Sequence, residues 1–425
     1  MAAVESTLAT PYLHEGLRGK YLLHQPTFAF NQRTSADIEW VPNYEKYMKR
    51  TQARRGLAGL ATKVPSGWPK CLDSPLAWTS DSFPKQEDII FSLTEDQKEE
   101  VYSAVKHFKS LGISVRDINQ ENFPLPKLAS RLNSMAEDLH NGKGFTIIRG
   151  LNSPTLDDHH SGIAFLGLST YMAPQFGRQN QDGSMIVHIL DANNSKVPKD
   201  LRQSVYTNIA QPFHSDVFCE VLALQVRSCA DSGGNSIIAS AWTVYNELAA
   251  TRPDLIHTLA ADDWTFDTFG RDPPYHQRPL LFCEDGKVIM NFSRRILTGA
   301  PASPRSLGIP PITEAQAEAL DAVHFTALKH QLSIPLEEGD IRFINNHAVL
   351  HGRDAFDDSD QSQRHLVRLW LRHPDKAWRM PTGLHMAWDR VYSDLGLEGD
   401  DKSWPLMPVI SERHLMSRQD SCGQG

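Results

Sequence analysis

Apolar residues in this chain change their spacing near residue 150. In "LTEDQKEEVYSAVKHFKSLG", Val101, Val105, Phe108 and Leu111 recur at three- and four-residue intervals, the period of one helix face. Thr94 followed by Gln97 is a capping-box start, and Gly112 supplies a stop. A second helix is predicted from about Leu125, with Leu128, Leu132, Met135 and Leu139 on one face; "NGKG" breaks it and "FTIIRG" reads as a buried strand. Beyond residue 150 the pattern becomes short apolar runs between turn signals: "SMIVHIL", "VLALQVRS", "NSIIAS", "KVIMNFS", "DIRFINN" and "HLVRLWLR". Their β-branched and aromatic content suits strands. Two helical inserts interrupt them, "TVYNELAATRPDLIHTLA" and one beginning "TEAQAEALDAVHFTALKH", again with a Thr-x-x-Gln start. Many short strands with a few helices outside predict an α+β fold built on an antiparallel double sheet, a jelly roll. Residues 1–90, rich in Pro, Trp and Tyr with weak periodicity, read as an irregular extension packed on that body. The expected division is therefore 1–90 extension, 91–385 jelly-roll domain and 386–425 C-terminal tail.

Composition narrows the class without choosing a function. The 425 residues are 40% hydrophobic and 22% charged, ordinary for a globular chain with a sizeable core. No apolar run has the length of a membrane-spanning helix, and "MAAVESTLATPYLHEG" lacks the basic start and apolar centre of a secretory signal. A net charge of −8, from 43 basic and 51 acidic residues, argues against a nucleic-acid partner. The densest basic run, "EKYMKRTQARR" at residues 45–55, reads as a solvated helix face in preference to a rim over an anionic substrate. Cys71, Cys219, Cys229, Cys283 and Cys422 are scattered, odd in number and without a Cys-x-x-Cys pair. That fits a reducing, cytoplasmic setting and argues against a disulfide framework or a structural zinc site. The expected partner is a small molecule, with no nucleic acid and no membrane; a homo-oligomer is left open.

The candidate chemistry lies in "QPFHSDVF", residues 211–218. On a strand, residues two apart face one side, so His214 and Asp216 would point together. They supply two thirds of a 2-His-1-carboxylate triad, which holds non-haem Fe(II) on one face and leaves other positions open. The pair alone says little, since His373 and Asp375 in "RHPD" have the same spacing and read as a polar turn. What sets the first pair apart is downstream. "GDIRFINNHAVLHGRDAF" offers His347 and His351, between which period does not choose, and "RHLVRLWLR" carries Arg364 and Arg368 in or beside a strongly apolar strand. A guanidinium there needs an anion, and a small dicarboxylate would supply one to its bidentate fork. Phe213, Phe218, Ile341 and Phe343 flank these positions and read as core, with alternation able to turn one or two into a pocket wall. Arg294 and Arg295, adjacent in "NFSRRILTG", would face opposite sides of a strand, so at most one would reach a pocket.

The ordered set of His-x-Asp, a distal His and a following Arg resembles the Fe(II)/2-oxoglutarate dioxygenases of the taurine dioxygenase (TauD/TfdA) type, especially their longer fungal relatives. "FPLPKLASRL", "GKGFTIIRGL", "FHSDVF", "DSGGNSIIASAWTVYNEL", "INNHAVLHGRDAF" and "RHLVRLWLR" follow the family's order from about residue 93 to 373. The resemblance implies His214, Asp216 and His351 as metal ligands, because Arg364 then falls at the family's spacing. It implies Arg364 as the grip on the distal carboxylate of 2-oxoglutarate, and Ser236, where relatives often carry Thr, as a helper of that grip. Arg368 matches an arginine that in some relatives reaches the substrate anion or the co-substrate. The implied fold is a cupin-like double-stranded β-helix. The implied cofactors are Fe(II), 2-oxoglutarate and O2. The implied reaction oxidises a C–H bond of a small polar metabolite (an amino acid, a sulfonate or a secondary-metabolite intermediate) with release of succinate and CO2. Hydroxylation, desaturation and oxidative cyclisation, including aziridine formation from valine, all fall within it. The competing readings are a cupin-like metal-binding regulatory protein and a zinc hydrolase using the same ligands.

Overall fold

Alternation along the strands sorts the apolar residues into two cores. The computed structural model describes residues 35–152, 157–180, 182–393 and 402–416. Eleven strands build the two main sheets: β1 (Ile90–Ser92), β2 (Phe145–Arg149), β3 (Gln175–Gly177), β4 (Val187–Leu190), β5 (Gln211–His214), β6 (Val221–Ser228), β7 (Ser236–Ser240), β8 (Leu332–Ile334), β9 (Ile341–Asn345), β10 (Val349–Arg353) and β11 (His365–Arg372). The larger sheet runs β1-β2-β9-β6-β11-β3, with β4 also on β11; the smaller runs β8-β7-β10-β5. Apart from the parallel β1–β2 pair, every pairing in the two sheets is antiparallel. The fold is thus α+β, with the expected jelly roll at its centre.

Inside the roll, Leu222, Leu224 and Val226 of β6, Ile344 of β9 and Leu366 and Trp370 of β11 belong to one buried cluster. Their neighbours Val221, Ala223, Ile341, Phe343, Val367, Leu369 and Leu371 belong to the other, on the outer face of the larger sheet. Ile341 and Phe343 are therefore core, and the residue between them, Arg342, faces inward. Among the described residues, ten α-helices position the rest: α1 (Tyr44–Arg55), α2 (Glu95–Ser110), α3 (Ala129–Asn141), α4 (Asp158–Met172), α5 (Ala241–Thr251), α6 (Pro253–Ala260), α7 (Arg294–Thr298), α8 (Glu314–Lys329), α9 (His385–Tyr392) and α10 (Glu412–Met416). α2, α3 and α4 cover the outer core, and α5, α6 and α8 cover the smaller sheet. None of the helices among the described residues is long and apolar enough to cross a membrane.

Both Thr-x-x-Gln starts are capping boxes: Thr94 and Gln97 open α2, and Thr313 and Gln316 open α8. Several expectations are corrected. The insert "TVYNELAATRPDLIHTLA" is two helices, because Pro253 cannot continue α5 but suits the first turn of α6. Arg294 and Arg295 lie on the short helix α7, not on a strand. "KVIMNFS" contributes Lys287–Met290 to a separate hairpin with Leu281–Glu284. Helix α4 has no counterpart in the sequence reading, because residues 162–172 are buried all round and leave no polar stripe to mark a period.

The stretch read as irregular carries α1. Its buried contacts are made by arginines, so no apolar stripe marks it. Arg50 donates to Glu314 and Asp321 of α8 at 2.8 Å each, and Arg54 to Glu318 at 2.7 Å. The basic run is thus partly consumed by ion pairs within the fold. At the other end, α9 starts at His385 and takes in the first residues of the expected tail, 386–392, burying Trp388, Val391 and Tyr392. Residues 1–34, 394–401 and 417–425 of the expected extension and tail lie outside the described residues.

Candidate metal centre

β10 pairs with β5 so that His351 stands directly opposite His214. Their ring centroids are 4.1 Å apart. Asp216 arrives differently from the sequence expectation. β5 ends at His214, and Asp216 lies in the turn that follows. That turn is buried, so its backbone polar groups need partners. Asn346, from the turn between β9 and β10, accepts the Asp216 N–H at 2.9 Å and donates to the carbonyls of Asp216 and Cys219. The Ser215 N–H donates to the Phe292 carbonyl at 2.7 Å, and the Ser215 hydroxyl accepts from the Phe292 N–H at 2.8 Å. Side-chain clamps, in place of strand pleating, bring the carboxylate beside the imidazoles.

The hydrogen bonds set the role of each atom. Nδ1 of His214 lies 2.8 Å from the Pro212 carbonyl, which only accepts, so Nδ1 carries the proton and Nε2 presents its lone pair. Asp216 Oδ2 accepts from Trp370 Nε1 at 2.7 Å and from Arg368 Nη1 at 3.1 Å. Asp216 Oδ1 is fully buried and has no hydrogen-bond partner. It lies 3.8 Å from Nε2 of His214 and 3.8 Å from Nε2 of His351. One donor atom from each of the three residues falls within 4.8 Å of the others, and no other such group of three occurs among the described residues. A buried carboxylate oxygen without a hydrogen-bond partner, facing the lone pair of His214 and the imidazole of His351, is a position that a divalent cation would satisfy. Burial pushes both imidazoles below their ordinary range, and the Arg368 cation acts in the same direction on each, while Asp216 opposes it at His214. Both rings are thus held in the neutral form a metal requires.

His347 is not part of this group. It sits in the turn between β9 and β10, stacked on Trp388 with centroids 5.3 Å apart and on Trp378 at 6.3 Å. His373 and Asp375 form the local turn expected of them, with Asp375 N–H on His373 Nδ1 at 3.2 Å.

Beside the three ligands a cavity is lined by Gln211, Ser236, Leu224, Arg342, Arg353, Arg364 and Arg368, among others. Arg364 is 6% exposed, rests on the Phe356 ring at 5.2 Å, and has a buried Nη1 with no partner. The preceding loop shapes its bed: a Cβ at Gly234, whose φ is +69°, would meet Arg364 Nε at 2.9 Å. Arg368 spends Nη1 on Asp216 and Nε on Gln179 Oε1 at 2.8 Å, leaving Nη2 unpartnered. Arg353 donates Nη2 to the carbonyls of Thr207 and Ile209 and lies 4.9 Å from the Phe356 ring. Ser236 opens β7 and accepts from Arg342. The six residues anticipated from sequence thus converge, three as potential metal ligands and three around the adjoining cavity. Arg342 and Arg353 were not anticipated. The signal for Arg342 was present in "DIRFINN", a guanidinium inside an alternating apolar strand, the same signal that picked out Arg364 and Arg368.

With this geometry in place, similarity to known proteins can be read. Residues 107–370 match the family described as "Taurine catabolism dioxygenase TauD, TfdA family". The chain belongs to the TauD/TfdA family. It is 34% identical over 351 residues to the taurine hydroxylase-like protein SAT17 of Stachybotrys chartarum, covering 80% of this chain and 90% of that protein. It is 25% identical over 306 residues to FR-33289 synthase of Streptomyces rubellomurinus, covering 69% and 88%. Among solved structures, asparagine oxygenase with Fe(II), 3-hydroxyasparagine and succinate superposes with a TM-score of 0.53 at 16% identity, over 68% of this chain and 98% of that one. The non-heme iron oxygenase OrfP with Fe and alpha-ketoglutaric acid gives 0.51 at 16%, over 67% and 93%. These structural likenesses establish the fold; membership of TauD/TfdA makes the chain an Fe(II)/2-oxoglutarate-dependent dioxygenase, with Fe(II), 2-oxoglutarate and O2 as its cofactors.

Proposed function

We propose that His214, Asp216 and His351 hold the ferrous ion and that Arg364, with Ser236, grips the distal carboxylate of 2-oxoglutarate. The enzyme then oxidises a C–H bond of a small polar metabolite, with an amino acid, a sulfonate or a secondary-metabolite intermediate as substrate class. The observation that carries this reading is the orphaned Oδ1 of Asp216 between two bare imidazole nitrogens, with a buried, unpartnered guanidinium nitrogen in the adjoining cavity. When bound, the iron and the keto acid together supply the oxidising power drawn from O2. The chain's own residues do the rest. Trp370 and Arg368 hold Asp216 Oδ2 so that Oδ1 faces the metal position. The Pro212 carbonyl fixes the tautomer of His214. Leu222, Leu224 and Leu366 wall the cavity against water.

Support for the substrate class comes from a relative whose name concerns taurine and from solved structures holding hydroxylated asparagine or arginine. The choice among hydroxylation, desaturation and ring closure, valine to an aziridine included, belongs to the same proposal.

The test is anaerobic loading with Fe(II) and 2-oxoglutarate, then exposure to O2 with a panel of amino acids and sulfonates. Succinate should appear in proportion to substrate consumed, and His351→Ala should abolish it. Arg364→Ala should raise the 2-oxoglutarate requirement about thirtyfold or more, the cost of removing one member of a buried charge pair. Zinc-dependent hydrolysis without O2, or metal binding that Arg364→Ala leaves unchanged together with no succinate, would favour the hydrolase or regulatory reading instead.

A further inference from the structure

Four guanidiniums line the cavity next to the metal ligands, those of Arg342, Arg353, Arg364 and Arg368, and no acidic side chain among the described residues lines it. Three have an evident setting. Arg368 is tied to Asp216 and Gln179. Arg353 gives Nη2 to two backbone carbonyls and lies over the Phe356 ring, although its buried Nε and Nη1 also lack partners. Arg364 stands at the position the family uses for the co-substrate. Arg342 has no such explanation. It lies in the middle of β9, 2% exposed, in register with Leu224 of β6, whose other neighbour is Arg368 of β11. One cross-strand row of the inner face therefore runs arginine, leucine, arginine.

Arg342's side chain meets a neutral group: Nη1 donates to the hydroxyl of Ser236, and the buried Nε has no partner. A cation taken out of water in mid-strand, with a serine as its company, is costly unless something brings it an anion. Its place in the cavity indicates which anion. Arg342 lines the same cavity as His351, Arg364 and Ser236, and its register neighbour Leu224 separates it from Arg368. Ser236, which it touches, is the hydroxyl already assigned to the distal carboxylate.

We propose that Arg342 is a second arginine for the distal carboxylate of 2-oxoglutarate, joining Arg364 from the same sheet and Ser236 from the smaller one around it. This assignment rests on the functional reading above. Two guanidiniums on one carboxylate make the site selective for a keto acid that carries a charge at both ends. A keto acid lacking the second carboxylate gains nothing from Arg342 and leaves its N–H groups unpaired.

The experiment compares dissociation constants of 2-oxoglutarate and 2-oxobutanoate for the full chain loaded with Fe(II) under anaerobic conditions, by calorimetry and by the charge-transfer absorption of the iron–keto acid complex. Arg342→Gln should weaken 2-oxoglutarate about ten- to a hundredfold, the loss expected for a charge-assisted hydrogen bond, while 2-oxobutanoate changes less than about threefold. Arg342→Lys, which keeps the cation, should fall between the unaltered chain and Arg342→Gln for 2-oxoglutarate only, and it serves as the test should the glutamine variant fail to fold. The assignment is overturned if either folded variant binds 2-oxoglutarate as the unaltered chain does, or if both keto acids weaken alike, the mark of a residue that merely props Ser236. Failure of the unaltered chain to bind 2-oxoglutarate in the presence of iron would instead overturn the functional reading, and this assignment with it.

Discussion

Asp216 divides its two oxygens between different tasks. Oδ2 is saturated by an indole N–H and a guanidinium, and Oδ1 has no hydrogen-bond partner, which suits the proposed iron. Partners of this kind orient a ligand and tune its charge, and their removal commonly costs ten- to a hundredfold in metal affinity. Trp370→Phe keeps most of the ring volume in the core and removes only the donor. It should raise the dissociation constant for Fe(II), measured anaerobically by titration, by about tenfold or more while the far-UV spectrum is unchanged; an unaltered constant would mean that Arg368 alone holds the carboxylate. Much of this site was legible in the sequence, because metal ligation demands particular residue types and strand order fixes their sequence. The clamp that delivers Asp216 was not legible. Asn346 and Ser215 act through backbone groups far away in sequence, and no spacing rule reports such contacts. Arg342, a charge in an apolar strand, carries the signal that marks Arg364 and Arg368, but only those two follow the His-x-Asp and distal His in the order that the family shares.

Among the elements, those with a one-sided apolar stripe or a capping box were found, and those buried differently were not. α2 and α8 announce themselves through Thr94 and Thr313. α4 is hidden because its residues 162–172 are apolar on all sides, and α1 because arginines occupy its buried positions. The second case has an energetic signature. Arg50 is 6% exposed and Asp321 2% exposed, and Arg294 of α7 reaches the same carboxylate at 2.8 Å. Removing one member of such a buried set strands its partners. Arg50→Ala should destabilise the protein by about 3 kcal/mol in urea unfolding. A loss below about 1 kcal/mol, the range of exposed pairs, would mean that water reaches the α1–α8 contact.

At the scale of the whole molecule, buried histidines make the fold sensitive to acid. Burial pushes His347 down to about 3, helped by His140, and His365 also down to about 3, helped by His188 and Arg227. In the unfolded chain each would take up a proton near the ordinary value of 6.5. Below that value the unfolded state binds protons that the folded state refuses, so stability is full above it and falls as pH drops towards 3, by at most about 1.4 kcal/mol per pH unit for each histidine. The urea midpoint of the metal-free protein should therefore decrease between about pH 7.5 and about pH 5.5; a midpoint that holds or rises over that interval would show these rings to be hydrated.

The order of strands in the smaller sheet carries a consequence for synthesis. β10, which brings His351, slots between β5 and β7, both made long before it, and the residues that steady Asp216 come later still on β11. A ribosome-bound chain that ends short of residue 351 carries only two of the three proposed ligands, and one that ends short of residue 368 carries all three without the side chains that hold Asp216 Oδ2. On this reading the proposed iron site is completed only once β11 has been made.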